Sequence, residues 1–590
     1  MNKYETLLIM LLAATVTIRA AVIRVATQQE FDKLGGTIVS ALAAGDAVVE
    51  VQLSRDTFYY KENHINLAGL AAGRQSLVIN GGGAVLIGKG RAYKNNDIYT
   101  WRFDQGAGFV DLDGGDVPLW GDLLYADGLV EVVDETKKLC AIPSTQTPDL
   151  AATLCGNVYV CLTQWFKSNV YKVSRIEGGK IYFTANDLAY NQGYKHYSVN
   201  LDMGYGKQVP RFRLCNLPTA PDSLLTIHNN RIHLPRGVAR LYECRSTRFL
   251  NVSKSRLASV EIDGLTFLGN KDSRNGLLHF LGSRVEQVAV RNCEFEGVRS
   301  IVVRADTTDN VSVSRCRFNN CYRDCVVGYA AGNFSVTDNV FSNMGLACNN
   351  TFCVRGSGEN INISNNEIRD FGYGAIAVGT WWASPKTTVV SGRVAGNHIY
   401  FTPSYMAAWA KRLLMDSGAI YLYTQNDDME VCGNFIHDYT GAHHNCGIFC
   451  DDGTLNSNIH TNIILNTPNS YSIDSRCVLS TEKNPRSHTP RVNVNNRLTD
   501  NIVDGPIRFE GRDREGANCH FRNNVLLLKA GSEKPVNTLR NLATETPMTT
   551  VGGHGISDNR LVLPPASMSV VRKLKDFSEI ERFVTQSTAK

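Results

Sequence analysis

The stretch VTDNVF at residues 336–341 decides how this chain is read, because its pattern recurs along half the sequence. Working outward from it, IDGLTF (262–267), VRNCEF (290–295), VSRCRF (313–318), ISNNEI (363–368), VAGNHI (394–399), VCGNFI (431–436), IHTNII (459–464), LTDNIV (498–503) and FRNNVL (521–526) share one template, apolar-x-x-(Asn/Cys/Leu)-x-apolar. The fourth position falls on Leu265, Cys293, Cys316, Asn339, Asn366, Asn397, Asn434, Asn462, Asn501 and Asn524, at intervals of 28, 23, 23, 27, 31, 37, 28, 39 and 23 residues. A floor of 23 with upward excursions predicts an all-β right-handed parallel β-helix, a solenoid in which stacked neighbours bury the apolar side chains of each coil. Stacked asparagines at a turn can bond both their own backbone and the next coil.

The excursions point to a working face. The longest intervals, 31, 37 and 39, cluster between Asn366 and Asn501, and loops on one edge of a rigid solenoid are where grooves are built. Before the repeat, residues 21–93 read as an N-terminal cap and first coils, with a helix across QEFDKLGGTIVSALAAG (29–45). Residues 94–240 break the rhythm and read as an inserted antiparallel β subdomain, with Gly178–Gly179 turning a hairpin. The β-helix occupies 241–530 and a C-terminal cap, including the helical stretch DFSEIERFV (576–584), occupies 531–590.

Composition bounds the function. With 43% apolar and 20% charged residues and a net charge of +5 over 590 residues, the chain is an ordinary globular protein. It is too mildly basic to argue for nucleic acid and compatible with an acidic glycan. Residues 1–20 read as a secretory signal peptide ending near Ala20, with a buried helix as the alternative. No other segment offers the roughly 20 apolar residues of a membrane span, so a secreted or periplasmic protein is expected. The sixteen cysteines match no metal ribbon; most are expected to be packing residues, with a few bridges.

Chemistry concentrates between Asp416 and Asp452, DSGAIYLYTQNDDMEVCGNFIHDYTGAHHNCGIFCDD. Aligning GAIAVGTWW, GAIYLYTQN, GIFCDDG, YSIDSR and PIRFEGRD as strands of successive coils brings Trp381, Gln425, Asp451, Asp452, Asp474, Arg476 and Glu510 towards one face. Acids beside aromatic rings suit a sugar, whose hydroxyls need acceptors and whose C–H face stacks on rings. DSGAIY (416–421), GNFIHD (433–438) and GIFCDDG (447–453) together resemble the motif set of secreted bacterial β-helix glycoside hydrolases, the β-xylosidase and fucosidase type, within the pectate-lyase-like fold. The chain departs from that pattern at Phe449, Cys450 and Thr454.

The resemblance implies Asp416 and Asp452 as the catalytic pair, supported by Asp451, with His437 at the substrate. Hydrolysis needs one carboxyl to protonate the leaving oxygen and another to face the anomeric carbon or a water. His443, His444, Trp381, Gln425, Arg476 and Glu510 are the further substrate-binding candidates. Each has a bland reading as well: turn-forming Asx residues, solvated loop histidines, packing tryptophans, and an Arg476 that pairs with Asp474 or Asp452. The expected activity is hydrolysis of a plant or host polysaccharide or oligosaccharide without a cofactor. The alternatives are a polysaccharide lyase, with Lys411, His437 or Arg476 as base and Asp427, Asp428, Asp451 and Asp452 holding Ca²⁺, and a non-catalytic glycan-binding solenoid.

Overall fold

The computed structural model describes residues 20–96, 108–185, 209–346, 351–379, 390–409, 417–422, 426–439, 445–483, 490–511, 519–527, 555–557 and 560–562, with short omissions within these ranges. Three long parallel sheets of 15, 13 and 11 strands run through them, and the central coils contribute a strand to each. A single coil shows the path. Strand Asn426–Cys432 lies in the first sheet, Phe435–His437 in the second and Asn445–Cys450 in the third. Each strand pairs in parallel with its counterparts in the coils before and after. Parallel neighbours of this kind are joined by right-handed crossovers almost without exception, and the chain is a right-handed parallel β-helix.

Two columns of residues make the tight turn between the first and second sheets. The ladder asparagines are buried, and each bonds forward. Asn397 donates from its backbone N (3.0 Å) and Nδ2 (2.9 Å) to Oδ1 of Asn434, which does the same to Asn462. The same contacts run from Asn339 to Asn524. Each Nδ2 also caps a carbonyl of the coil behind, as Asn434 does to Val394. The residue before the ladder position is left-handed in every coil: Gly264, Asn292, Arg315, Asp338, Asn365, Gly396, Gly433, Thr461, Asp500 and Asn523 have φ between 52° and 68°. One αL residue turns the chain sharply enough to leave two strands in adjacent sheets.

Inside the coils, side chains of like kind stack. Phe267, Phe295, Phe318 and Phe341 lie face to face at 5.3, 4.9 and 4.5 Å, and Ile368, Ile399, Ile436 and Ile464 continue that column. Helix α1, Gln28–Ala43, closes the N-terminal end. A Thr27–Glu30 capping box starts it, and its buried face, Phe31, Leu34, Ile38 and Leu42, lies against the first coils.

The coils are continuous across a long insertion. Strand Ser76–Asn80 pairs directly with Arg256–Asp263, and Val85–Gly88 with Thr266–Leu268. Between them lie antiparallel sheets, one of seven strands with its own apolar core, and one of four that includes Gly90–Tyr93 and Leu241–Cys244. The hairpin Lys167–Glu177 and Lys180–Thr184 turns on Gly178 and Gly179, both at positive φ. Residues 1–19, read as most of a signal peptide, and 576–584, read as helical, lie outside the described residues.

All fourteen described cysteines are buried and unbridged, which corrects the expectation of a few disulfides. Cys293 and Cys316 occupy ladder positions that asparagine takes in later coils, with their thiols at backbone carbonyls.

Candidate functional site

The outer face of the third sheet is the surface that the long excursions border. The 31- and 39-residue intervals leave the C-terminal ends of strands Gly374–Val378 and Tyr471–Cys477, and the 37-residue interval enters the N-terminal end of Ser417–Leu422. Within them the described elements are a short helix, Pro403–Trp409, and a hairpin, Leu479–Lys483 with Pro490–Val492.

Strand alternation separates core from face. Ile376, Ile420, Ile448 and Ile473 are in register and point into the coil. The residues that follow them, Ala377, Tyr421, Phe449 and Asp474, form the neighbouring column, continued by Arg508. Tyr421 stacks on Phe449 at 4.8 Å and approaches Phe352, which meets Tyr373 edge-on. Together with Ala377 and Cys446 these rings form a second, outward-facing apolar cluster. They are buried, so they form a packed floor and not open platforms.

Polar groups are set into this floor. The Tyr421 hydroxyl donates to Oδ2 of Asp451 at 2.6 Å, and Asp451 is itself only 5% exposed. Its backbone is fixed as well, with N donating to Leu422 O and O accepting from Thr454 Oγ1. Further along, Arg355 donates to Asp324 at 3.2 Å and lies 4.8 Å above the Phe352 ring, while Asp324 also accepts from the Phe352 backbone. Nearer the N-terminus the column carries Arg304, paired with Asp306 at 2.7 Å, and His279. Burial, together with the neighbouring Arg248 and Arg304, pushes the His279 imidazole down to about 4, so it is neutral.

Asp451 is the predicted site residue that the structure places in this face. Asp416, Asp452, Trp381, Gln425, His443, His444 and Lys411 lie outside the described residues. The strands that border these positions are described. Ser417 pairs with Asn445 and Leu422 with Cys450. The neighbour of Asp416 therefore stands at one end of the sheet and Asp451 at the other, about 20 Å along the strands at roughly 3.3 Å per residue. Carboxyl pairs that hydrolyse glycosides lie about 5–9.5 Å apart, and the separation of Asp416 and Asp452 themselves lies outside the described residues. Arg476 and Glu510 are in register with each other in the next two coils, with Asp474 two residues before Arg476. That backbone register puts acidic residue types at the Asp451 end of the sheet.

His437 belongs to another surface, the outer face of the second sheet. Its Nε2 lies 2.9 Å from Nε2 of His398 and its Nδ1 2.8 Å from Asp438, and its ring stacks on Tyr400. Of the acids proposed for Ca²⁺, Asp452 lies outside the described residues. Asp427 accepts from Asn456 at 2.6 Å and Asp428 is exposed at φ 60°. Among the described residues no ligating trio contains Asp427, Asp428 or Asp451. The sequence reading missed Tyr421, Phe352, Tyr373, Arg355 and Asp324. The signal available was position: Tyr421 and Phe449 each follow an inward isoleucine.

The family model described as a right handed beta helix region matches residues 219–380, in line with the topology above. A search of curated protein sequences returned no match. Among solved structures the chain is similar to a glycoside hydrolase (12% identity, 91% of this chain and 96% of that one, TM-score 0.38). It is also similar to XylC in complex with xylose (10%, 92% and 86%, 0.39). A third is the Gp54 tailspike of Acinetobacter baumannii bacteriophage AP22 in complex with A. baumannii capsular saccharide (10%, 91% and 79%, 0.23). Among the described residues no helix is long and apolar enough to cross a membrane.

Proposed function

We propose that this chain is an exported glycoside hydrolase that holds a polysaccharide or oligosaccharide along the outer face of the third sheet, with Asp451 as one of its two working carboxyl groups. The observation that carries this reading is the Tyr421–Asp451 hydrogen bond: a buried acid, fixed by a hydroxyl donor from the preceding coil, at the edge of a face bordered by long loops. The motif resemblance in GIFCDDG, which contains Asp451, supports the hydrolase reading independently. A carboxylate oriented by a hydroxyl suits the base or nucleophile, which faces a water or the anomeric carbon. The second carboxyl is assigned to Asp474. Its backbone pairs with Phe449, two residues before Asp451. One coil of about 4.8 Å and two residues of about 3.3 Å put the two backbones roughly 8 Å apart, within reach of the spacing hydrolysis needs.

The test is to screen the purified protein against plant and host glycans for released reducing sugar, in parallel with Asp451→Asn. Turnover that disappears in the variant supports the proposal. Products with the ultraviolet absorbance of an unsaturated uronate mean elimination instead, and glycan affinity without turnover in either protein means a binding solenoid.

A further inference from the structure

A second cluster lies on the outer face of the first sheet, apart from the carbohydrate face. Glu430 and Cys432 alternate outward on strand Asn426–Cys432, while Met429 and Val431 point into the core. Cys432 pairs in register with His460 of the next coil and with Ala395 of the coil before. The ligand atoms of Glu430, Cys432 and His460 all lie within 4.8 Å of one another, with His460 Nε2 3.1 Å from Glu430 Oε1. Arg393 covers the group, donating to Cys432 Sγ at 3.4 Å and to Glu430 Oε2 at 3.1 Å.

From this geometry we infer that Glu430, Cys432 and His460 form a site for a divalent transition metal, zinc by preference, which clips two coils together and displaces Arg393. One thiolate, one imidazole and one carboxylate are a borderline-soft set that suits tetrahedral zinc with a water in the fourth position. Metal–ligand bonds of about 2.0–2.3 Å require only a small contraction of the cluster. The second shell is in place: His460 Nδ1 lies 2.5 Å from Thr461 Oγ1, a hydroxyl able to accept an N–H and leave the Nε2 lone pair for the metal. Arg393 is the apo-state occupant. Its guanidinium neutralises Glu430 and donates to the sulfur, but its side chain is 57% exposed and can swing into solvent. Metal entry transfers the Cys432 thiol proton to solvent. Because the ligating form is the thiolate, affinity rises with pH.

The test uses the full chain under reducing conditions, titrated with Zn²⁺ by calorimetry and with Co²⁺ by absorbance. The expected result is one metal per chain and a thiolate-to-cobalt charge-transfer band. Cys432→Ser should abolish the band, and Cys432→Ser and His460→Gln should each weaken Zn²⁺ binding on the order of 100-fold, since each removes a direct ligand. Arg393→Ala should strengthen it, because the variant removes a competing cation. Absence of Zn²⁺ binding, a band that survives Cys432→Ser, or binding without a band, as the His398–His437 pair would give, overturns the assignment. An Arg393→Ala variant with unchanged affinity overturns the competition.

Discussion

The hydroxyl of Tyr421 and Oδ2 of Asp451 are 2.6 Å apart, and the bond ties one coil to the turn that follows the next. Tyr421→Phe removes the donor while keeping the ring on Phe449. A hydrogen bond to a charged group contributes about 1.5–3 kcal/mol, so kcat should fall roughly 10- to 100-fold with KM little changed. Asp451→Asn should cost about 10²–10⁴-fold. Steady-state kinetics beside circular dichroism of both variants reads this, and a Tyr421→Phe enzyme at the wild-type rate would remove Asp451 from the mechanism.

The asparagine ladder makes a stability prediction. Asn434 accepts from Asn397 N and Nδ2 and donates to Val394 O and Asn462 Oδ1. In Asn434→Ala those buried partners lose their bonds, at about 1–3 kcal/mol for each group left unsatisfied. A total loss of roughly 3–5 kcal/mol is expected, seen as a lower urea midpoint. A midpoint within error of wild type would mean that water replaces the ladder.

How much of this was legible follows from what repeats. The ladder was read because one residue type recurs once per coil, and its bonds run between the residues that the alignment chose. The turn column beside it was not, because Gly, Asn, Asp, Arg and Thr all occupy it; what they share is a backbone conformation, not a chemistry. Asp451 was legible in GIFCDDG, whereas Tyr421 was hidden inside an apolar run where alternation alone separates face from core. For Asp416 and Asp452 the sequence shows that their strands stack, but it does not give the distance between the ends of those strands. The sheet that carries His437 was not legible, because proximity in sequence does not reveal which of three sheets a strand enters.

That turn column can be tested at Gly433, which has φ 62° and open space, with the nearest atom 3.9 Å from an added Cβ. Only backbone strain should then matter. Gly433→Val should destabilise by about 1–2 kcal/mol, while Gly433→Asn, a residue that the column already uses at 292, 365 and 523, should cost less. Equal midpoints for the two variants in urea unfolding would show that the turn does not demand αL preference.

His279 predicts a pH dependence. Its folded value of about 4 lies below the ordinary 6.5, so above pH 6.5 the imidazole is neutral in both states and stability is full. As pH falls below 6.5 the unfolded chain binds the proton first and stability is lost progressively, levelling near pH 4. At 3% exposure the loss should be on the order of 3 kcal/mol. Urea midpoints from pH 7 to pH 4 should decline more steeply for the wild type than for His279→Gln; parallel declines would assign the acid sensitivity elsewhere.

The register also ranks the acids. Asp474 shares the Asp451 end of the third sheet, since its backbone pairs with Phe449, whereas Ser417, the neighbour of Asp416, pairs with Asn445 at the far end. Ser417 stands about 20 Å along the strands from Asp451, whereas Asp474 is one coil and two residues away. Asp474→Asn should therefore lower kcat on the order of 10²–10⁴-fold, while Asp416→Asn stays within a few-fold of wild type and at most raises KM. If Glu510→Gln gives the large loss and Asp474→Asn does not, the second carboxyl sits one coil further on. If Asp416→Asn alone abolishes turnover, the reacting bond lies at the opposite edge of the sheet, and Asp451 serves only to hold the face together.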